Sequence, residues 1–117
     1  MAAFVPFDVM VVSTNGVVRV AVLGDLDCAS APRLGQVLAR LADDRRDIVV
    51  DLRSTEFVDC AGIGAIADAY DRRCRRGEVL VLEAPSEAAR RVLELTGLAE
   101  HIPTTDDEGC GSSAQPG

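Results

Sequence analysis

Two short, continuous apolar runs constrain this chain more than any other feature: DIVVDL at 47–52 and EVLVLE at 78–83. Runs this short and this continuous read as buried strands of a parallel sheet. Parallel neighbours need a crossover connection, usually a helix. Between the two runs, Ile63, Ile66, Ala67, Tyr70 and Cys74 fall on one helical face, and Gly77 supplies a stop.

The rest of the chain extends the same grammar. DVMVVST (8–14) and VVRVAVL (17–23) read as strands on either side of Asn15-Gly16, the strongest short hairpin signal. Gly24 to Asp27 break that pattern. Leu34, Val37, Leu38 and Leu41 then share one face of a helix over 30–42, with Asp27 or Ser30 as its cap and Pro32 in its first turn. Pro85 and Ser86 open a third helix, with Val92 and Leu93 facing inward and Gly97 ending it. HIPT (101–104) reads as a short edge strand. The expectation is a single α/β domain over residues 1–105, with a mixed central sheet, an N-terminal hairpin and about three main helices. Residues 106–117 read as a flexible acidic tail rich in Gly and Ser.

Composition narrows the function classes. The net charge of −7 repels a phosphate backbone, so no direct nucleic-acid partner is expected, and aromatics at 3% leave no stacking platform. An acidic domain of this kind suits docking on another protein. No apolar run reaches the ~18 residues of a membrane span, and MAAFVPFDVM lacks the basic region of a signal peptide. The expected location is the cytoplasm, without membrane insertion. Cys28, Cys60, Cys74 and Cys110 form no CxxC pair, and His101 is the sole histidine, so no metal site is expected.

An enzyme finds little support. Residues 62–67 match GxGxxA, and Glu83 follows about twenty residues on, which imitates a dinucleotide fingerprint. Ten residues separate Leu52 from Gly62, however, whereas the fingerprint glycine closes its strand directly. No cofactor and no catalytic residue is therefore assigned. What remains is FVDCAGIG at 57–64, small, apolar and charged only at Asp59. Asp59 reads either as a helix cap or as a partner contact, and Asp27 carries the same two readings.

Three pieces carry a family resemblance: GDLD at 24–27, IVVDL at 48–52 and FVDCAGIG at 57–64, followed by VLVLE and the pair Gly97-Leu98. In their order and spacing, over about residues 8–104, the chain resembles the STAS-domain anti-sigma-factor antagonists. The resemblance implies a protein that binds an anti-sigma factor, usually an ATP-dependent serine kinase, and so frees a sigma factor for transcription. It implies a partner surface of Asp27, Thr55, Asp59, Cys60, Ala61, Gly62, Ile63 and Gly64. In the family, the kinase phosphorylates a Ser or Thr directly before the motif glycine. Here that position is Ala61, which has no oxygen to accept phosphate, and the nearest hydroxyls are Ser54 and Thr55.

A switch at the usual site is therefore not expected. Cys74, within RRCRR at 72–76, and Cys110, in the tail, are candidates for a redox-controlled disulfide, set against two free thiols. The run Asp106-Asp107-Glu108 is expected to be drawn to those arginines. The alternative to an antagonist is a STAS regulatory subunit of a transporter or of a stress-signalling complex.

Overall fold

In the computed structural model, which describes residues 6–106, the Asn15-Gly16 signal becomes a tight turn, with φ of 50° and 78° at its two residues. Both values are positive, as a two-residue hairpin of matching twist requires. The turn joins β1 (Asp8–Thr14) to β2 (Val17–Leu26), paired antiparallel. From there the chain alternates: α1 (Ala31–Arg40), β3 (Asp47–Val58), α2 (Cys60–Arg75), β4 (Leu80–Glu83), α3 (Glu87–Thr96), a short 3-10 turn at Leu98–Glu100, and β5 (Thr104–Thr105).

The sheet runs β1-β2-β3-β4-β5, with every pair after the first parallel. Each crossover moves one strand further in the same direction. Right-handed connections then place all three helices on one face. That face is the core: Val18, Val20 and Val22 of β2, Ile48, Val50 and Leu52 of β3, and Leu80 and Leu82 of β4 meet Leu34, Ile63, Ile66 and Leu93.

Several expectations need correction. The two continuous apolar runs predicted strands covered on both sides, yet Val49 and Val81 on the other face are only half-buried. That open face carries an ionic network instead. Glu83 is 3% exposed and pairs with Arg19. Arg53 lies 3.6 Å from Glu83 and 3.1 Å from Asp51. β2 does not end at Leu23. Gly24, at φ 87°, takes up an irregular register, and the strand runs on to Leu26. β3 is longer still and absorbs what had read as a loop, up to Val58. The terminal edge strand is Thr104–Thr105, not 101–104. The tail beyond Asp106 lies outside the described residues.

α2 also turns differently from its expected phase. Its buried residues are Gly62, Ile63, Ile66, Ala69 and Arg73, so Cys74 is exposed rather than at the rim of the core. Arg73 is 3% exposed and spends its guanidinium on backbone carbonyls. Nε donates to Val79 O (2.9 Å), Nη1 to Asp44 O (2.9 Å) and Nη2 to Arg46 O (2.6 Å). One side chain thus satisfies the α1–β3 and α2–β4 loops, with the Glu78 carboxylate 3.6 Å away. Beside it, the Arg46 guanidinium holds the Asp44 carboxyl well below the usual carboxylate range.

Removing the guanidinium takes a donor from each of these part-buried carbonyls, of which Val79 O keeps the Ile48 N–H at 3.3 Å. We expect Arg73→Met to lower unfolding stability by about 3 kcal/mol. Arg72→Met, at an exposed neighbour, should change it by less than about 0.5 kcal/mol. Urea denaturation midpoints of the two variants check the contrast.

Candidate functional site

The last paired residues of β2 and β3 are Leu26 and Val58. Past this point the two chains part, one into α1 and one into α2, at the C-terminal ends of parallel strands. The Asp59 N–H still donates to Leu26 O (3.1 Å). Asp59 then caps α2 with its side chain, Oδ1 accepting from the Gly62 N–H at 3.0 Å. Its Oδ2 accepts from the Cys28 N–H at 3.2 Å, across to the other chain segment. One carboxylate therefore ties the two turns together.

The turn before α1 is held by its own short network. Asp27 Oδ1 accepts from the N–H groups of Ala29 (3.0 Å) and Ser30 (3.1 Å). Ser30 Oγ accepts from the Asp27 N–H (2.9 Å) and donates to Asp25 O (2.7 Å). Ser30 occupies the cap position of α1, but its hydroxyl points back into the turn and makes no cap bond. Both Asp27 and Asp59 are thus committed to backbone partners, Asp59 as the cap of α2 and Asp27 within the turn before α1, where it makes no cap bond to the helix.

Gly62 is fixed by packing. A Cβ there would sit 2.5 Å from Leu26 Cγ and 2.6 Å from Leu26 O. Only glycine lets the first turn of α2 lie against the end of β2. Gly64 is different, since a Cβ there would meet nothing within 4 Å.

These contacts also revise the ground for setting aside a dinucleotide. β3 reaches Val58, so Gly62 comes four residues after the strand rather than ten. The obstacle is Asp59. Its carboxylate already occupies α2's N-terminus, where a pyrophosphate would need N–H donors and positive potential.

The eight residues singled out for partner binding divide by depth. Cys60 and Ala61 are exposed at the start of α2, and Asp27, Asp59 and Gly64 are half-buried beside them. Ile63 (1% exposed) and Thr55 (2% exposed) lie beneath the surface. The Thr55 hydroxyl donates to Leu52 O at 2.8 Å and lies 2.9 Å from the Ser86 hydroxyl, which caps α3. Thr55 is therefore a buried strut, and Ser54 is the exposed hydroxyl of the pair.

Two features escaped the sequence reading. Phe57 is 52% exposed and lines a groove of about 610 Å³ beside α3. A second groove, of about 460 Å³, runs between α1 and α2, lined by Cys28, Gly35, Ala39, Ala61 and Ala65. Its signal was present as small residues four apart, Ala31-Gly35-Ala39 and Ala61-Ala65-Ala69. Cys74 stands apart from this surface, far along α2. Its thiol beside the Tyr70 hydroxyl pushes the phenol's pKa up, and that hydroxyl donates to His101 O at 2.7 Å. Cys110 lies outside the described residues. Asp106 pairs with Arg90 of α3 at 2.8 Å, not with the arginines around Cys74.

Gly62→Ala should destabilise the fold by about 2 kcal/mol or more, because its Cβ meets backbone that has no room to give. Gly64→Ala should be neutral or stabilise by up to about 1 kcal/mol through helix propensity alone. Thermal melts of both variants test whether packing of α2 on Leu26 sets the turn.

Comparison with known proteins identifies the family and the fold. The STAS domain family model matches residues 8–109. The anti-sigma-B factor antagonist of Bacillus subtilis is 31% identical over 85 residues, 73% of this chain and 78% of that one. Among solved structures, an anti-sigma factor antagonist from Mycobacterium paratuberculosis superposes with a TM-score of 0.80 at 28% identity, covering 88% of each chain. A sulfate transporter family protein from Wolinella succinogenes shares the fold, with a TM-score of 0.70 at 22% identity over 83% of this chain and 82% of that one. With its parallel strands, its Asp59-capped α2 and its glycine packed against Leu26, this chain belongs to the STAS domain family.

Proposed function

We propose that this protein is an anti-sigma-factor antagonist that docks through the turn at residues 27–30 and 59–64. Binding an anti-sigma factor there would release the sigma factor it holds. The observation that carries the reading is the exposed patch of Cys28, Cys60 and Ala61, small side chains on a turn locked by Asp59. A partner backbone can approach such a patch closely, and the turn is set before the partner arrives, so little ordering cost falls on binding. The relatives named as antagonists support the same reading. The role is one of binding, with no catalytic residue assigned.

Ala61 gives the reading its particular form. It sits exposed in the first turn of α2 and carries no hydroxyl. The antagonist is then not switched off by phosphate at this turn. Thr55 is no substitute, because its hydroxyl is buried and engaged. The partner is an anti-sigma factor of the ATP-dependent serine-kinase type.

A redox layer through Cys74 and Cys110 is a separate proposal, supported by the exposure of Cys74. Non-reducing peptide mapping of the oxidised protein tests it, and two free thiols would end it.

The main experiment uses a kinase-type anti-sigma factor with Mg-ATP, followed by intact-mass analysis. Wild type should bind and gain no phosphate. Ala61→Ser, which restores a hydroxyl at an exposed position, should be phosphorylated and then released. Phosphate on wild-type Ser54 would contradict the phosphate-independent form. Absence of binding would favour the transporter or stress-signalling alternative.

A further inference from the structure

β1 is an outer strand of the sheet, and six of its seven residues are exposed. Met10, Val11 and Val12 are 52%, 46% and 49% exposed. Protein edges of this kind are normally blunted by a proline, a lysine or a bulge. β1 has none of these. Its register with β2 is unbroken from Asp8–Leu23 to Thr14–Val17, and its sequence is DVMVVST.

The direction of each backbone group follows from the hairpin. A two-residue turn makes Thr14 and Val17 a hydrogen-bonded pair, and bonded pairs then recur at every second residue. Val12, Met10 and Asp8 therefore turn their N–H and C=O groups toward β2. Ser13, Val11 and Val9 turn theirs outward. The Val9 N–H agrees, since it donates not to β2 but to Asp8 Oδ1, at 2.9 Å.

We propose that β1 is a dimerisation edge, on which a second copy of this chain pairs its own β1 antiparallel about a two-fold axis at Val11. Val11 is both the midpoint of the strand and an outward-facing residue. A two-fold there pairs β1 over its full length and makes Val11 and the partner's Val11 a bonded pair. The Ser13 N–H donates to the carbonyl of the partner's Val9, and the converse bond forms by symmetry. All of these form with Asp8 undisturbed. On the open face of the sheet, Met10 lies opposite the partner's Val12, so the exposed apolar side chains cover one another.

Charge does not oppose a second copy along β1. With a net charge of −7, two copies repel over most of their surface. β1 carries a single charge, Asp8, already bound to Arg33 at 3.0 Å. In the full-length register Asp8 falls opposite the partner's Thr14 rather than a second carboxylate. The pairing adds to the outer edge of β1 and leaves the turn above β2 and β3 free, so a dimer presents two docking turns.

Sedimentation equilibrium over a concentration series tests this, with Val11→Lys and Leu95→Lys compared to wild type. Both variants change the net charge equally and at exposed positions, but only Val11→Lys sets two ammonium groups face to face. Wild type and Leu95→Lys should dimerise as concentration rises, and Val11→Lys should associate about tenfold more weakly or worse. Amide exchange on wild type needs no variant. Val11 and Ser13 should become protected with concentration, while Met10 and Val12 stay protected throughout. A wild type that remains monomeric, a Val11→Lys dimer of wild-type strength, or equal weakening by Leu95→Lys would each overturn the proposal.

Discussion

The Asp59 carboxylate is the contact on which the functional end of this molecule depends. A parallel pair of strands leaves its two C-terminal continuations free to diverge, and nothing in a βα unit by itself fixes one turn relative to the next. Asp59 does so by accepting from Gly62 of its own helix and from Cys28 of the neighbouring turn. Gly62 complements it by letting α2 come down on Leu26. The result is a surface whose backbone is rigid and whose side chains, at Cys28, Cys60 and Ala61, are small. A surface of this kind suits close docking more than chemistry, since the carboxylates of Asp27 and Asp59 are consumed in holding the turns.

The opposite pole of the sheet shows the same economy with the opposite charge. Arg73 enters the core from α2 and gathers carbonyls from two loops at the N-terminal ends of β3 and β4. A buried guanidinium is costly unless its donors find acceptors, and here the acceptors are backbone carbonyls of two loops. α2 is thus anchored at both ends by a charged side chain, Asp59 at its start and Arg73 near its finish. Between them Ile63, Ile66 and Ala69 fix its rotation over the sheet. The groove-lining row of Ala61 and Ala65 follows from that rotation.

Much of this was legible in the sequence. The Asn15-Gly16 hairpin, the order of elements and the stops at Gly77 and Gly97 follow from local turn chemistry and from two periodicities. The glycine-rich opening of α2 was legible as a turn of close approach. The end of β3 was not, because Arg53 to Glu56 are polar and the pattern resumes only at Phe57 and Val58. Pairing with the irregular end of β2 carries the strand through that polar stretch, which is a tertiary effect. Arg73 was missed because a run of arginines reads as solvated, and only the loops beside it reveal acceptors. Cys74 was placed inward for the same reason, one position out of phase. The burial of Thr55 was not legible because its partner, Ser86, lies far away in sequence.

The most direct measurement is amide chemical-shift mapping of the labelled protein on addition of a kinase-type anti-sigma factor with Mg-ATP. If the Asp59-locked turn is the docking surface, the largest changes fall at Cys28, Cys60, Ala61 and Gly64, with β1 and the Arg73 loops unmoved. Changes centred on β1, on α3 or on the Arg73 loops, with the turn undisturbed, would contradict it.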